Sequence, residues 1–231
     1  MSGKLYGIGV GPGDPELLTI KALRRIQECP VIALPGKEPR STVAYKIVKG
    51  VYEGLDEKLL LPIEMPMTKN PQELERNHDN GAAKVEEHLR EGRDVAFLTL
   101  GDPTVYSTYL YVHKRVLQKG YEAEIISGIT SFCAVAARLN MGLVEMDQPL
   151  HVIPATYKAS EMEEILKLPG TKVLMKSGKK MNQIRESILE SGQQAVMIEN
   201  CHMEDEKIYL TAQDIPREAG YYSLIIVKEE K

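Results

Sequence analysis

A glycine-rich turn near the start of the chain is the first segment whose residue types and spacing could bind a ligand. The sequence Gly7-Ile8-Gly9-Val10-Gly11-Pro12-Gly13-Asp14-Pro15 follows an apolar run. Its spacing departs from the Gly-x-Gly-x-x-Gly fingerprint, and Pro12 removes a backbone N–H where a phosphate cradle needs donors, so NAD and ATP are disfavoured. Two interpretations stay open: a tight turn capped by Asp14, or a loop whose glycines let the backbone approach a ligand.

Two later segments repeat this order of strand end, turn and helix start. Gly101-Asp102-Pro103 precedes the hydroxyl-rich run Tyr106-Ser107-Thr108-Tyr109, and Ser127-Gly128-Ile129-Thr130-Ser131 follows another apolar run. Ligands of open parallel sheets bind at the carboxyl ends of the strands. The three turns therefore predict a shared site, although Asp102 and Pro103 could equally serve only to cap and start a helix.

The cysteines and histidines show no spacing typical of a metal site. Cys29, Cys133 and Cys201 form no Cys-x-x-Cys pair, and the five histidines include no His-Glu-x-x-His motif. An odd number of separated cysteines fits a reducing compartment and small buried side chains. We therefore expect neither a bound metal nor a disulfide framework.

The composition is that of an ordinary globular protein. The 231 residues are 43% hydrophobic and 27% charged, and the net charge of −4 argues against a general nucleic-acid binder. The N-terminal residues lack an apolar signal core, and the longest apolar runs are too short to span a bilayer. These features predict a cytoplasmic protein without a nucleic-acid or membrane partner.

The sequence around these turns predicts an α/β fold, because short apolar runs alternate with stretches of helical periodicity. The first half predicts a five-stranded parallel sheet with right-handed helical crossovers. Its strands are predicted at 4–10, 31–34, 58–62, 94–100 and 123–127, and its helices at 15–28, 41–52, 71–91, 103–119 and 129–140. A break or kink is expected in the third helix at Asn80-Gly81.

After about residue 143 the pattern changes. Strands are predicted at 151–155, 172–176, 195–199, 207–210 and 222–228. The last two leave almost no room for a helix between them, so antiparallel pairing and a smaller mixed sheet follow. We expect an N-terminal parallel α/β domain at 1–143, a C-terminal five-stranded mixed α/β domain at 144–231, and an active-site cleft between them.

The three turns, in this order, resemble the tetrapyrrole methylase superfamily. The resemblance rests on the run from Gly9 to Thr19, on Gly101-Asp102-Pro103 and on Gly128-Ile129-Thr130-Ser131, and it extends over essentially the whole chain. Members of this superfamily use S-adenosylmethionine in cobalamin and sirohaem synthesis. The run from Gly101 to Thr108 and the ending Tyr221-Tyr222-Ser223-Leu224 resemble the branch that methylates C20 of precorrin-2.

The resemblance implies a homodimer that binds S-adenosylmethionine between its two domains and releases S-adenosylhomocysteine. The implied cofactor-binding residues are Pro12, Leu100, Gly101, Asp102, Val105, Thr130, Ser131, Lys176 and Cys201. Lys176 and Cys201 match by strand alignment alone. Two positions depart from the pattern: Ser127 stands where many relatives have Pro, and no Asp follows the second strand at Leu34-Pro35-Gly36. The missing Asp puts in doubt any acid–base mechanism copied from the uroporphyrinogen-methylating relatives.

Methyl transfer from a sulfonium to an electron-rich carbon needs alignment of the reacting atoms within about 3–3.5 Å and exclusion of water. Tyr106 is the candidate catalytic residue, which would orient the edge of the tetrapyrrole ring. The substrate is rich in carboxylates while the protein is net acidic, so local cations must bind it. The candidates are Lys37, Arg40 and Lys69, and the alternative for each is an ordinary solvated charge.

Three functions stay open from the sequence. The first is methyl transfer to C20 of precorrin-2 or cobalt-precorrin-2. The second is another methylase of the superfamily: one acting at another corrin position, a diphthine synthase, or a ribosomal RNA ribose methylase, of which the last is disfavoured by the acidic charge. The third is a non-catalytic S-adenosylmethionine sensor, which only turnover distinguishes from an enzyme.

Overall fold

The computed structural model describes residues 2–66, 68, 70–155 and 159–229. The chain forms two compact units, Met1–Thr130 and Ser131–Lys231. Each unit is built on a five-stranded sheet.

The first unit confirms the predicted parallel sheet. Its strands are β1 (Leu5–Gly9), β2 (Val31–Pro35), β3 (Leu59–Ile63), β4 (Val95–Thr99) and β5 (Ala123–Ile126). They pair in the order β3-β2-β4-β1-β5, and every pair is parallel. Its α-helices are α1 (Ile20–Glu28), α2 (Val43–Lys49), α3 (Pro71–Arg90) and α4 (Tyr109–Gln118).

Apolar layers cover both faces of this sheet, which is why the central strands β1 and β4 are buried along their whole length. On one face, Ile8 and Leu98 pack with residues of α1 and α2. On the other, Val95 and Phe97 pack with residues of α3 and α4. Alternate residues of β4 therefore supply the two layers, as the pleat requires.

Two of the predicted helices, α1 and α4, begin five or six residues later than the sequence pattern indicates. Residues 15–28 contain a short 3₁₀ turn, Pro15–Leu17, and then α1, which has Thr19 rather than Asp14 as its N-cap. Similarly, α4 begins at Tyr109 and not at Pro103. Both Asp-Pro pairs thus start turns, not α-helices.

The expected break in the third helix is wrong, because α3 runs without interruption through Asn80 and Gly81. A Cβ atom on Gly81 would lie 3.0 Å from Ile63 Cγ2 and 3.1 Å from Met65 Cε. The glycine therefore serves close packing of α3 against neighbouring side chains.

The second unit confirms the predicted mixed sheet. Its strands are β6 (Leu150–Pro154), β7 (Thr171–Met175), β8 (Gln194–Glu199), β9 (Lys207–Tyr209) and β10 (Ser223–Lys228), in the order β6-β7-β10-β8-β9. Only β6 and β7 pair in parallel among these described strands. Its helices are α5 (Ser131–Arg138), α6 (Ala159–Leu166) and α7 (Met181–Ser191).

Helix α5 belongs to the second compact unit, although the pattern placed it before the predicted domain boundary. Val135 and Ala136 of α5 pack with Val173 and Ile198 of the second sheet. The boundary between 143 and 144 stays a prediction about folding domains. In the described part of the chain, none of the helices has both the length and the apolar character that a membrane span requires.

Candidate functional site

The three glycine-containing turns meet at one edge of the first sheet. Strands β4, β1 and β5 are neighbours and parallel, so their carboxyl ends lie together. Gly101 N donates to Gly11 O at 2.8 Å, and Gly11 N donates to Gly101 O at 3.2 Å. The turn after β5 joins them because Gly128 N donates to Asp102 Oδ2 at 3.0 Å. We call this region the first-sheet edge.

Glycine is required at this edge because the backbones approach each other closely. A Cβ atom on Gly9 would lie 2.5 Å from Gly101 O and 2.6 Å from Gly128 N. A Cβ atom on Gly128 would lie 2.2 Å from Gly101 O. Any larger residue at either position would therefore push the turns apart.

Asp102 is a buried carboxylate that ties two of these turns together. Its Oδ1 accepts from Thr104 N at 2.8 Å, while its Oδ2 accepts from Gly128 N. Burial acts to raise its pKa, but the hydrogen bonds from Thr104, Gly128 and the Ser127 side chain outweigh it and hold the pKa below its ordinary value. Ser127 thus supports the ionised Asp102.

The first-sheet edge has features that fit a small organic cofactor. Gly101 has φ +70°, and a Cβ atom there would meet only Ile129 O, at 3.9 Å, so the space beside it is open. Thr130 Oγ1 is buried and has no hydrogen-bond partner among the described residues. Pro12 is buried, and Leu100 and Val105 are partly exposed. Main-chain groups and a hydroxyl are thus available beside an open space.

Tyr106 lies on the same turn and is 45% exposed. Its φ of 50° is left-handed, which is uncommon for a residue with a bulky side chain and marks a backbone held in place by its surroundings.

Tyr109, the last residue of the hydroxyl-rich run, is fully buried and anchors the start of α4 in the core. The Tyr109 ring fills the space beside Gly7, where a Cβ atom would lie 2.0 Å from Tyr109 Cε1. The Tyr109 hydroxyl lies 2.8 Å from His113 Nδ1, and burial raises the pKa of Tyr109. A glycine inside a buried strand is the signal that could have indicated this close packing.

Lys176 and Cys201 lie at the corresponding edge of the second sheet. Strands β7 and β8 both run antiparallel to β10, so their carboxyl ends flank the start of β10. We call this region the second-sheet edge. Cys201 is buried, and this burial raises the pKa of its thiol to about 12, so the thiol is neutral. Lys176, Asn200 and His202 all have left-handed backbones, with φ of 60°, 54° and 61°.

Glu199 is a buried carboxylate at the second-sheet edge that sequence reasoning missed. It ends β8 and accepts a hydrogen bond from Gly220 N. A Cβ atom on Gly220 would lie 2.7 Å from Glu199 Oε1, so a larger residue there would displace the Glu199 carboxylate. The one signal in the sequence is an acidic residue directly after the apolar run 195–198.

The candidate substrate-binding cations have different surroundings. Lys37 follows β2, its side chain is 80% exposed, and its Nζ lies 3.7 Å from Glu64 Oε2. Arg40 Nε lies 3.1 Å from Asp56 Oδ1, and Asp56 also accepts from Lys49 at 2.7 Å and from the Tyr45 hydroxyl. The Lys49, Tyr45 and Arg40 hydrogen bonds lower the pKa of Asp56. Lys69 lies outside the described residues.

The residues therefore fall into three groups. Pro12, the 100–106 turn and Thr130 lie in the first unit at the first-sheet edge, whereas Ser131, the first residue of α5, and Lys176 and Cys201 lie in the second unit. Lys37 and Arg40 follow β2, two strands from β1. No group of three or more His, Cys, Asp or Glu residues suited to a metal occurs within the described ranges.

The chain combines a parallel sheet with a mixed sheet, and the strand-end turns of the parallel sheet form an open, glycine-lined site. This combination is typical of α/β enzymes that bind an organic cofactor. Residues 4–216 match the family described as Tetrapyrrole (Corrin/Porphyrin) Methylases. The chain belongs to this family, which confirms the resemblance seen in the turns.

Two relatives are similar over nearly their full length. The chain is 35% identical to a probable cobalt-precorrin-2 C(20)-methyltransferase of Methanocaldococcus jannaschii, with 99% of this chain and 97% of the relative covered. It is 33% identical to a precorrin-2 C(20)-methyltransferase of Sinorhizobium sp, with 97% and 95% covered.

The fold also matches a solved structure. The uroporphyrin-III C-methyl transferase from Thermus thermophilus, complexed with S-adenyl homocysteine, aligns with a TM-score of 0.70 and 21% identity. The alignment covers 98% of each chain. This likeness confirms the two-sheet α/β fold.

Proposed function

We propose that this protein transfers a methyl group from S-adenosylmethionine to C20 of precorrin-2 or cobalt-precorrin-2 in cobalamin biosynthesis. The observation that supports the proposal is the open space beside Gly101 at the first-sheet edge, next to a buried Thr130 hydroxyl that has no partner among the described residues. The full-length similarity to two C(20)-methyltransferases supports the choice of substrate and position.

Nine residues would hold the cofactor. At the first-sheet edge these are Pro12, Leu100, Gly101, Asp102, Val105 and Thr130, and in the second unit they are Ser131, Lys176 and Cys201. The cofactor supplies a methyl group on a positively charged sulfonium. Main-chain carbonyls of the glycine turns favour that positive charge, and the Thr130 hydroxyl gains a partner. Because Cys201 is buried and neutral, its role is to pack against the ligand, not to react with it.

Tyr106 would orient the edge of the tetrapyrrole ring, which its exposed side chain at the first-sheet edge allows. Lys37 would attract a substrate carboxylate, since its ammonium group is exposed and lies 3.7 Å from Glu64 Oε2, a weak ion pair. Arg40 would contribute less because Asp56 already binds its guanidinium. Lys69 completes this proposed set of cations.

We also propose that the protein is a cytoplasmic homodimer that binds neither nucleic acid nor membranes, and that its folding domains are residues 1–143 and 144–231. The acidic net charge of −4 supports the absence of a nucleic-acid partner. Light scattering of the purified protein tests the dimer, and a single mass equal to one chain would refute it.

The decisive experiment is an anaerobic incubation with S-adenosylmethionine and precorrin-2, with and without cobalt, followed by mass spectrometry. A gain of one methyl mass, placed at C20 by NMR, supports the proposal and identifies the metal state of the substrate. Binding of S-adenosylhomocysteine without methylation of either ring refutes it in favour of a sensor or of another methylase.

A matched pair of variants tests Tyr106 in the same assay. Tyr106 and Tyr111 are 45% and 46% exposed, but Tyr111 lies on α4 and stacks on His78. We expect Tyr106→Ala to lower kcat while Tyr111→Ala leaves it near the wild-type value. Equal effects of the two substitutions would remove Tyr106 from the proposed site.

A further inference from the structure

The hydroxyl groups of Thr99 and Ser107 lie at the two ends of the turn that carries Gly101 and Asp102. Thr99 is the last residue of β4, and Ser107 lies shortly before α4 begins. Thr99 Oγ1 and Ser107 Oγ are 2.9 Å apart, within hydrogen-bond distance. This one side-chain contact therefore closes residues 100–106 into a loop, because it joins the residue after the loop to the last residue of β4.

Ser107 also connects this loop to the buried start of α4. Its Oγ accepts a hydrogen bond from Tyr109 N at 3.2 Å. The Tyr109 ring is fully buried beside Gly7 of β1. Thr99 is buried as well, so the pair is largely shielded from water, where a hydrogen bond is stronger. The loop is thus held by the sheet at one end and by the core at the other.

The geometry of Tyr106 shows that the loop needs such support. Tyr106 directly precedes Ser107 and has a left-handed backbone, a conformation that persists only where surrounding contacts determine it. Asp102 secures one side of the loop through Gly128, and Ser107 secures the other through Thr99. Nothing else among the described hydrogen bonds joins Ser107 to the end of β4.

We propose that Thr99 and Ser107 are positioning residues that hold the 100–106 loop in the shape that binds the cofactor and presents Tyr106. This inference rests on the proposed function, in which Leu100, Gly101, Asp102 and Val105 contact the cofactor. The two hydroxyls act through the loop, since they bond to each other and to Tyr109 N.

Isothermal titration calorimetry with S-adenosylhomocysteine tests the pair. We expect Ser107→Ala and Thr99→Val each to raise the Kd about fivefold, the loss typical of one hydrogen bond. The double variant should bind no more than about twofold more weakly than either single variant, because both substitutions remove the same contact. Thr99→Ser, which keeps the hydroxyl, should restore the wild-type Kd.

Ser191→Ala is the matched control. Ser191 Oγ also has two hydrogen bonds, to Ile188 O at 2.7 Å and from Gln193 N at 3.3 Å, but it ends α7. Its loss should leave the Kd unchanged. Amide hydrogen exchange of residues 100–106 gives a second measurement, and we expect faster exchange there in Ser107→Ala and Thr99→Val only. Thr99→Val keeps the side-chain shape and provides an independent test if Ser107→Ala does not fold.

The possible results separate this inference from the proposed function. An unchanged Kd in both single variants, with normal wild-type binding, overturns the positioning role alone. Fully additive losses in the double variant overturn the pairing of the two hydroxyls. Failure of the wild-type protein to bind S-adenosylhomocysteine overturns the proposed function, whatever the variants do.

Discussion

The first-sheet edge and the second-sheet edge are built by different means. At the first, main-chain groups of glycine turns bond to one another, and the backbones of Gly9, Gly101 and Gly128 approach closely. At the second, Lys176 and Asn200 adopt left-handed backbones despite their side chains, and Glu199 holds a neighbouring loop. An edge built from glycine has a visible sequence motif, whereas an edge built from strained ordinary residues has none.

Gly9→Ala, at the first-sheet edge, is expected to cause the largest loss of stability. The added Cβ collides with two backbones, and overpacking of this kind costs about 3 kcal/mol in the free energy of unfolding. Binding of S-adenosylhomocysteine should be lost together with that stability. Urea denaturation and calorimetry measure the two effects. Gly142→Ala is the control, since its Cβ would meet only Val144 O at 3.9 Å, and equal losses in both variants would contradict the close packing.

Asp102→Ala should have the next largest effect. It leaves the N–H groups of Thr104 and Gly128 without their acceptor, at a cost of about 2 kcal/mol in the free energy of unfolding. Urea denaturation measures that loss. Asp102→Asn keeps one acceptor oxygen and should lose less. If both variants unfold like the wild-type protein, the carboxylate does not join the turns at the first-sheet edge.

The same carboxylate predicts a pH dependence. Because the folded state lowers the pKa of Asp102 below 3.8, the ionised group contributes its stability above that value. The contribution is lost as the pH falls through the folded-state pKa. The difference in unfolding free energy between wild type and Asp102→Asn should therefore be constant near neutral pH and shrink under strongly acidic conditions. A difference that grows on acidification would have the wrong sign.

At the second-sheet edge, Glu199→Ala should cost less, about 1 kcal/mol, because one acceptor for Gly220 N is removed. Glu199→Gln retains a side-chain oxygen and should be close to wild type in urea denaturation. If Glu199→Ala lowered the free energy of unfolding more than Asp102→Ala does, the second-sheet edge would depend more strongly on its buried carboxylate than the first-sheet edge, and the comparison would be reversed.

The smallest effect is expected for Lys37→Ala. Removing one exposed charge that attracts a substrate carboxylate should raise the KM for the tetrapyrrole about fivefold at low salt, and the difference should fade at high salt. Steady-state kinetics at two ionic strengths measure this change. Lys167→Ala removes a similarly exposed lysine directly after α6, with a side chain that is 68% exposed, and should leave KM unchanged. Equal KM values in both variants would make Lys37 an ordinary surface charge.

Much of the fold and part of the candidate site could be predicted from the sequence. The alternation of apolar runs and helical periods indicated both sheets, because burial of strands on two faces requires it. The three turns at the first-sheet edge were visible because close backbone approach admits only glycine, and Asp with Pro starts turns. At the second-sheet edge, Lys176 and Cys201 had no such pattern and were matched by strand alignment alone, and Glu199 was missed.

Other features were decided only by tertiary structure, since they depend on residues far apart in the chain. The start of α4 at Tyr109 follows from the space beside Gly7, and the continuity of α3 follows from packing of Gly81 against Ile63. Asp102 accepts a hydrogen bond from Gly128 N instead of capping a helix, and Asp56 forms a salt bridge with Arg40. The turns were determined by the residues of the local sequence. The partner of each polar side chain was determined by which strands and helices the fold brings together.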